Sequence, residues 1–369
     1  MKIKKILITI FLLTASSCSY LIRGISDNKI KVKVPESKIC HLQSDYLFIG
    51  ENSSLVKVFQ ENYKSWNLSK KELIYAWTLA NSIVRPDMIN ASSFGGVFLI
   101  QNENIEFLNQ NDFKSIRFNK IVSLLNAGLP NKFKVSKALS SKLSEIKNSG
   151  GKIPNKFKIA NQVLGTGEIF KRKSLSKKPL FQTRSNAPTR NIKAEGYQCL
   201  GFERSDQKSP TETSLLSIYH KEWQAIIIHS NIKKQDLLKP QFSLPNSSVC
   251  YHKNNYYENT YVSYLDPNHD VLLKNLINLG IEKIQSIEDL IYYINYPRFV
   301  LEKDSKYILM ESLRADKTLE NYINTLNIPI YHKNNIGKIQ SLYRFSNNRQ
   351  SGVLMDPREP NTLRCSNND

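Results

Sequence analysis

Ile6 to Thr14 form an apolar run of nine residues, preceded by Lys2, Lys4 and Lys5 and followed by the small residues Ala15, Ser16 and Ser17. Nine helical residues rise only about 14 Å, short of the roughly 20 residues that cross a bilayer. The run is greasy on every face, so it is not a buried amphipathic helix. A positive start, a short apolar stretch and small residues make a secretory signal, residues 1–17. This feature constrains the fold most, because it sends the rest of the chain to a compartment where cysteines pair.

The chain has five cysteines: Cys18, Cys40, Cys199, Cys250 and Cys365. An exported chain with an odd count leaves one thiol unexplained. Ala15-x-Ser17 suits an ordinary signal peptidase, which would leave a soluble periplasmic or secreted protein. Ala15-Ser16-Ser17-Cys18 also resembles the lipobox of bacterial lipoproteins, with Ala where Leu is usual at the first position. That resemblance implies a thioether from Cys18 to diacylglycerol and acylation of its new amine. Ser19 after the lipid position implies, by the same resemblance, sorting to the outer membrane. With Cys18 assigned to lipid, an even four remain. Cys199 is expected to pair with Cys250, and Cys40 with Cys365, among three connectivities open to four cysteines.

Removing the signal leaves enough chain for two domains. Apolar residues make up 40% of the full chain and aromatic residues 10%, a composition that folds. The formal charge of +20 is unevenly spread. Residues 131–193 hold sixteen Lys or Arg against two acids, a net +14. Lys171, Arg172, Lys173, Lys177, Lys178, Arg184, Arg190 and Lys193 are the densest part. Such a block contacts an anionic surface or stays a solvated linker. For an exported chain the nearby polyanions are lipid headgroups and envelope polymers; nucleic acid needs a reason to lie outside the cell.

Periodicity divides the chain further. Residues 18–38 read as a polar tether. Ser69-x-x-Glu72 opens a helix ending before Pro86, with Leu73, Ala76, Trp77, Ala80 and Ile83 at helical spacing. Further helices are expected near 115–127 and 134–147, and a short strand over 92–100. Residues 39–164 therefore read as a mainly helical domain, and 165–194 as a basic linker. Beyond it the pattern alternates. Two strands or one bent strand are expected over 213–230, hairpins over 248–266 and 298–311, helices near 269–279, 287–295 and 316–326, and a last hairpin from "IPIYHKNN" and "KIQSLYRF". Residues 195–369 read as a mixed or antiparallel sheet with helices, making the whole α+β. "YHKNN" recurs at 251–255 and 331–335, a weak echo in a Lys- and Asn-rich chain.

No constellation argues strongly for catalysis. His220 and His229 with Glu222 lack the tight ligand pair of a metal site. Cys250 and His252 share a strand face, but an exported cysteine is better read as oxidised. Asp266, His269 and Asp270 in "LDPNHD" read better as a turn and helix cap than as an acid–base cluster. Strand tyrosines such as Tyr251, Tyr257, Tyr261 and Tyr264 suit ordinary sheet. The favoured expectation is a lipid-anchored envelope protein with a binding or structural role and no catalysis, its basic segment on an anionic surface and its second domain meeting an envelope partner. No cofactor or metal is expected. One alternative is an envelope hydrolase of glycan or peptide using His229, Asp266 and His269. The other is nucleic-acid binding through the basic segment.

Overall fold

A computed structural model describes residues 36–84, 95–128, 189–194, 197–202, 213–230, 247–264, 280, 283–301, 307–311, 314–315, 317–347, 350–358 and 363–365. In chain order the elements begin with strands β1 (Lys38–His41) and β2 (Tyr46–Ile49) and helices α1 (Ser53–Trp66) and α2 (Lys70–Val84). Then come β3 (Gly95–Gln101), β4 (Asn104–Leu108), α3 (Phe118–Gly128), β5 (Thr189–Ala194), β6 (Tyr197–Phe202), β7 (Thr213–His220) and β8 (Trp223–Ser230). The rest are β9 (Ser247–Lys253), β10 (Tyr257–Tyr264), α4 (Ile287–Asn295), β11 (Phe299–Leu301), β12 (Ile308–Glu311), α5 (Lys317–Asn324), β13 (Ile330–Lys333), β14 (Lys338–Phe345) and β15 (Ser351–Met355).

The helix ends follow local chemistry. Asn52 caps α1 by accepting from Leu55 N at 2.9 Å, and Asn67 closes it in the left-handed conformation that asparagine tolerates. Ser69 and Glu72 reciprocate across the first turn of α2, the capping box read from the sequence. Ser286 and Asp289 do the same for α4.

Two antiparallel sheets carry the fold. One has five strands in the order β2-β7-β8-β3-β4, the other seven in the order β1-β15-β14-β10-β9-β6-β5. Alternation along each strand then decides the layers. Phe98, Leu215, Tyr219, Ile226 and Ile228 of the first sheet meet Val249, Val262, Leu342 and Val353 of the second in one core. On the outer face of the five-stranded sheet, Val97, Leu216, Ile218 and Ile227 pack under α1, α2 and α3, with Trp77 at the centre. On the outer face of the seven-stranded sheet, Tyr257, Tyr261, Tyr343 and Leu354 pack under Ile287, Leu290 and Ile294 of α4. The result is four layers, helix–sheet–sheet–helix. A small sheet of β11, β12 and β13 packs with Ile323 of α5 as a satellite.

This architecture overturns the expected mainly helical N-terminal domain. The helices exist, but they cover a sheet that the same stretch helps to build. β1 pairs with β15, β2 with β7 and β3 with β8, so strands from both expected domains share both sheets. Strands of four residues such as β1 and β2 are too short to show a period, and their partners lie far away in sequence. The described residues form one compact unit. The expected final hairpin is also absent: β13 pairs in parallel with β12, and β14 lies between β10 and β15. The two "YHKNN" stretches thus sit in different contexts, one in the β9–β10 hairpin and one on β13. The helices expected near 134–147 and 269–279 fall outside the described residues.

Disulfides join Cys40 to Cys365 and Cys199 to Cys250. They suit an oxidising compartment. Among the described residues no helix is long and apolar enough to cross a membrane.

Candidate active site

Two hydrogen bonds between the sheets locate the site. Ser217 Oγ donates to Gln340 Oε1 at 2.7 Å, and Tyr219 Oη donates to the Tyr343 carbonyl at 3.2 Å. They lay β7 over β14 with both strands running the same way, so the two strands start at one end of the sandwich. Register brings other termini to that end. Thr213, the first residue of β7, has Ser230, the last of β8, as its Cα partner. Gly95 opens β3 opposite His229. Tyr264 ends β10 opposite Lys338, and Ser247 begins β9 opposite Tyr264. Gly95 is needed sterically, because a Cβ there would lie 2.0 Å from the Ile228 carbonyl oxygen.

The seven-stranded sheet is braced at this end by a buried ionic cluster. Arg298 pairs with Asp356 at 2.6 Å, and Arg358 pairs with both Asp356 and Glu311. Arg298 also donates to the Ile336 and Gly337 carbonyls, while Ile336 N donates to Glu311 and Ile339 N to Asp356. The entry to β14 is therefore held on both sides by charged groups. Burial alone would push the Asp356 carboxyl up. The Arg298 and Arg358 guanidiniums and the Arg358 N–H outweigh it and hold the carboxyl below its ordinary value. Burial also opposes the charge on Arg358, but the Glu311 and Asp356 carboxylates raise its pKa above the usual guanidinium value.

The residues singled out from the sequence fall in several places. His229 is buried on β8 at the same end as Thr213. Asp266 and His269 lie outside the described residues, as do Cys18, Lys171, Arg172, Lys173, Lys177, Lys178 and Arg184. Arg190 and Lys193 are on the edge strand β5, opposite Gly201 and Gln198. His220 lies at the hairpin turn opposite Trp223, six residues along the strand from the His229 position. At about 3.3 Å per residue the two histidines are roughly 20 Å apart and cannot share a metal. His220 instead packs on the Tyr46 ring at 4.4 Å, and its burial lowers its pKa. Among the described residues no three His, Cys, Asp or Glu side chains gather as metal ligands. Cys250 is in a disulfide and is no nucleophile. Nothing in the sequence sets Thr213 apart, because a threonine opening a strand is ordinary. Glu311 and Asp356 had a faint signal, an acid closing the apolar runs "ILM" and "GVLM".

No protein-family model matches the sequence, and no curated protein is similar to it in sequence. Solved structures do match. Cephalosporin acylase from Bacillus halodurans superposes with a TM-score of 0.52 at 8% identity, over 92% of this chain and 98% of that one. The two chains share a fold. LmbA2991, in a form with one threonine replaced by alanine, superposes with a TM-score of 0.51 at 7% identity, over 89% of this chain and 99% of that one. The four layers resemble an Ntn-hydrolase-like fold. This likeness overturns the expectation of a binding or structural protein without catalysis. That expectation rested on finding no catalytic set in the sequence, where a fold built from distant strand pairings leaves no local motif.

Proposed function

We propose that the chain is an exported hydrolase of amide bonds whose nucleophile is Thr213, working as an N-terminal residue. The observation that carries this reading is a threonine at the first position of β7, an interior strand of a sheet in a fold shared with an acylase. A threonine hydroxyl is a weak nucleophile at neutral pH and needs a base beside it; its own α-amine can serve, provided the residue is an N-terminus. Thr213 is internal in the translated chain, so the Glu212–Thr213 bond must first be cut. In that step the Thr213 hydroxyl attacks the Glu212 carbonyl, the acyl group moves from nitrogen to oxygen, and water hydrolyses the ester. Glu212 gains a carboxylate and Thr213 a free amine.

With a substrate amide, the Thr213 oxygen attacks the carbonyl carbon while its amine takes the hydroxyl proton. The tetrahedral intermediate collapses, the protonated leaving amine departs, and an ester to Thr213 remains. Water activated by the same amine hydrolyses it and restores the hydroxyl. The Arg298–Glu311–Asp356–Arg358 cluster holds the facing sheet in place.

The decisive experiment is N-terminal sequencing and intact mass of the purified protein. A new N-terminus at Thr213, absent from Thr213→Ala, is expected; a wild-type chain uncut before Thr213 would overturn the reading. Anchorage is part of the proposal: Cys18 carries a diacylglycerol thioether and an acylated amine, two attachments of the kind that stable membrane anchoring needs. The mass of the N-terminal fragment tests it.

A further inference from the structure

A cut before Thr213 divides the described strands into two sets that do not separate into two bodies. β1 to β6 lie on the N-terminal side and β7 to β15 on the C-terminal side. In the five-stranded sheet, the β7–β8 hairpin is inserted between β2 and β3. In the seven-stranded sheet the C-terminal strands β15, β14, β10 and β9 form the middle, flanked by β1 on one side and β6 and β5 on the other. That sheet therefore has two seams between the fragments: β1 against β15, and β6 against β9.

Each seam carries a disulfide. Cys199 of β6 and Cys250 of β9 are Cα partners in the ladder and are bonded to each other. Cys40 of β1 is bonded to Cys365, downstream of β15. Both bonds have one cysteine before Thr213 and the other after it. In an uncut chain they close loops with sequence separations of 325 and 51 residues. In a cut chain they close no loop through the broken bond and become the only covalent links between the fragments.

We infer that the two disulfides are staples that keep the fragment bearing Thr213 covalently attached to the N-terminal fragment after cleavage, and through it to the membrane anchor. The inference rests on the cleavage reading above. Its consequence is spatial. Cys18 and Thr213 end up on different polypeptides, so without the staples a fragment that came loose would have no tether of its own. With one staple at each seam, reduction of either disulfide alone leaves the fragments joined.

The test is denaturing electrophoresis and intact mass of the full-length wild-type protein, trapped with iodoacetamide and compared with and without tris(2-carboxyethyl)phosphine. The expected result is one species without reductant, heavier by one water than the uncut mature chain, and two fragments with it. Two fragments before reduction would overturn the stapling while leaving the cleavage reading intact. A single uncut chain after reduction would sink the cleavage reading and the stapling with it. Cys199→Ser with Cys250→Ser, and Cys40→Ser with Cys365→Ser, should each still migrate as one species without reductant; fragments released by either pair alone would show that the other staple does not form.

Discussion

Arg298 and Asp356 form an ion pair at 2.6 Å in which both side chains are buried. Asp356 serves a second guanidinium, Arg358, at 3.2 Å and accepts from Ile339 N at 2.7 Å. Removing its charge leaves two buried cations facing one remaining carboxylate. Asp356→Asn should therefore destabilise the protein by about 3–5 kcal/mol, read as a shift in urea midpoint at unchanged slope. Replacing the pair together, Arg298→Met with Asp356→Leu, should cost less than Asp356→Asn alone, because one cation disappears with the anion. A double variant as unstable as the sum of its singles would show that the pair is not coupled.

The same carboxylate makes stability pH-dependent. Its folded pKa lies below the ordinary value, because the two guanidiniums outweigh the effect of burial. The folded state then binds this proton less readily than the unfolded one. The contribution is complete above the ordinary carboxylate pKa of about 4 and is lost as pH falls from there through the depressed folded value. Urea midpoints measured between pH 7 and pH 3 should fall for the wild type and fall less steeply for Asp356→Asn. Parallel profiles would place the acid sensitivity elsewhere.

Trp77 is fully buried between Phe48 and Phe59, with ring centroids 5.3 and 4.7 Å away. It joins the helical layer to the five-stranded sheet. Trp77→Ala should cost about 3–5 kcal/mol in chemical denaturation, and Trp77→Phe much less, since it leaves a smaller void. If both variants had the same midpoint, the cavity would have closed by repacking.

Much of the local structure was legible in the sequence, and little of its assembly. Ser69-x-x-Glu72 marked α2, and a helix was read near 287–295 where α4 forms, because caps and helical periods are written within a few residues. The β9–β10 hairpin was readable for the same reason, while the stretch that forms β7 and β8 read as either two strands or one bent strand. The partnership of Cys40's strand with β15, and of Tyr46's strand with β7, was not, because antiparallel pairing at such separation leaves no local period. That is why a stretch rich in helices read as a helical domain. The site was less legible still. Thr213 becomes notable only when register places it at the start of an interior strand, and Arg298 and Asp356 only when folding brings residues 58 apart into one cluster.

Gly95 tests whether the end of the sandwich that holds Thr213 must keep its geometry. A Cβ at Gly95 would sit 2.0 Å from the Ile228 carbonyl oxygen and 2.9 Å from His229 Cα, both backbone atoms that cannot swing away. Gly95→Ala must push β3 from β8, and β8 is the strand against which Thr213 is registered. Overpacking of this kind costs about 1–3 kcal/mol or more. Gly201 offers the comparison, since a Cβ there would meet the Ser247 carbonyl oxygen at 3.0 Å and needs only a few tenths of an ångström of relief. Gly95→Ala should lower the urea midpoint and slow the appearance of the Thr213 N-terminus in a time course of intact mass, while Gly201→Ala does much less of both. A Gly95→Ala protein of reduced stability but unaltered cleavage would show that the geometry at the start of β7 does not depend on how closely β3 approaches β8.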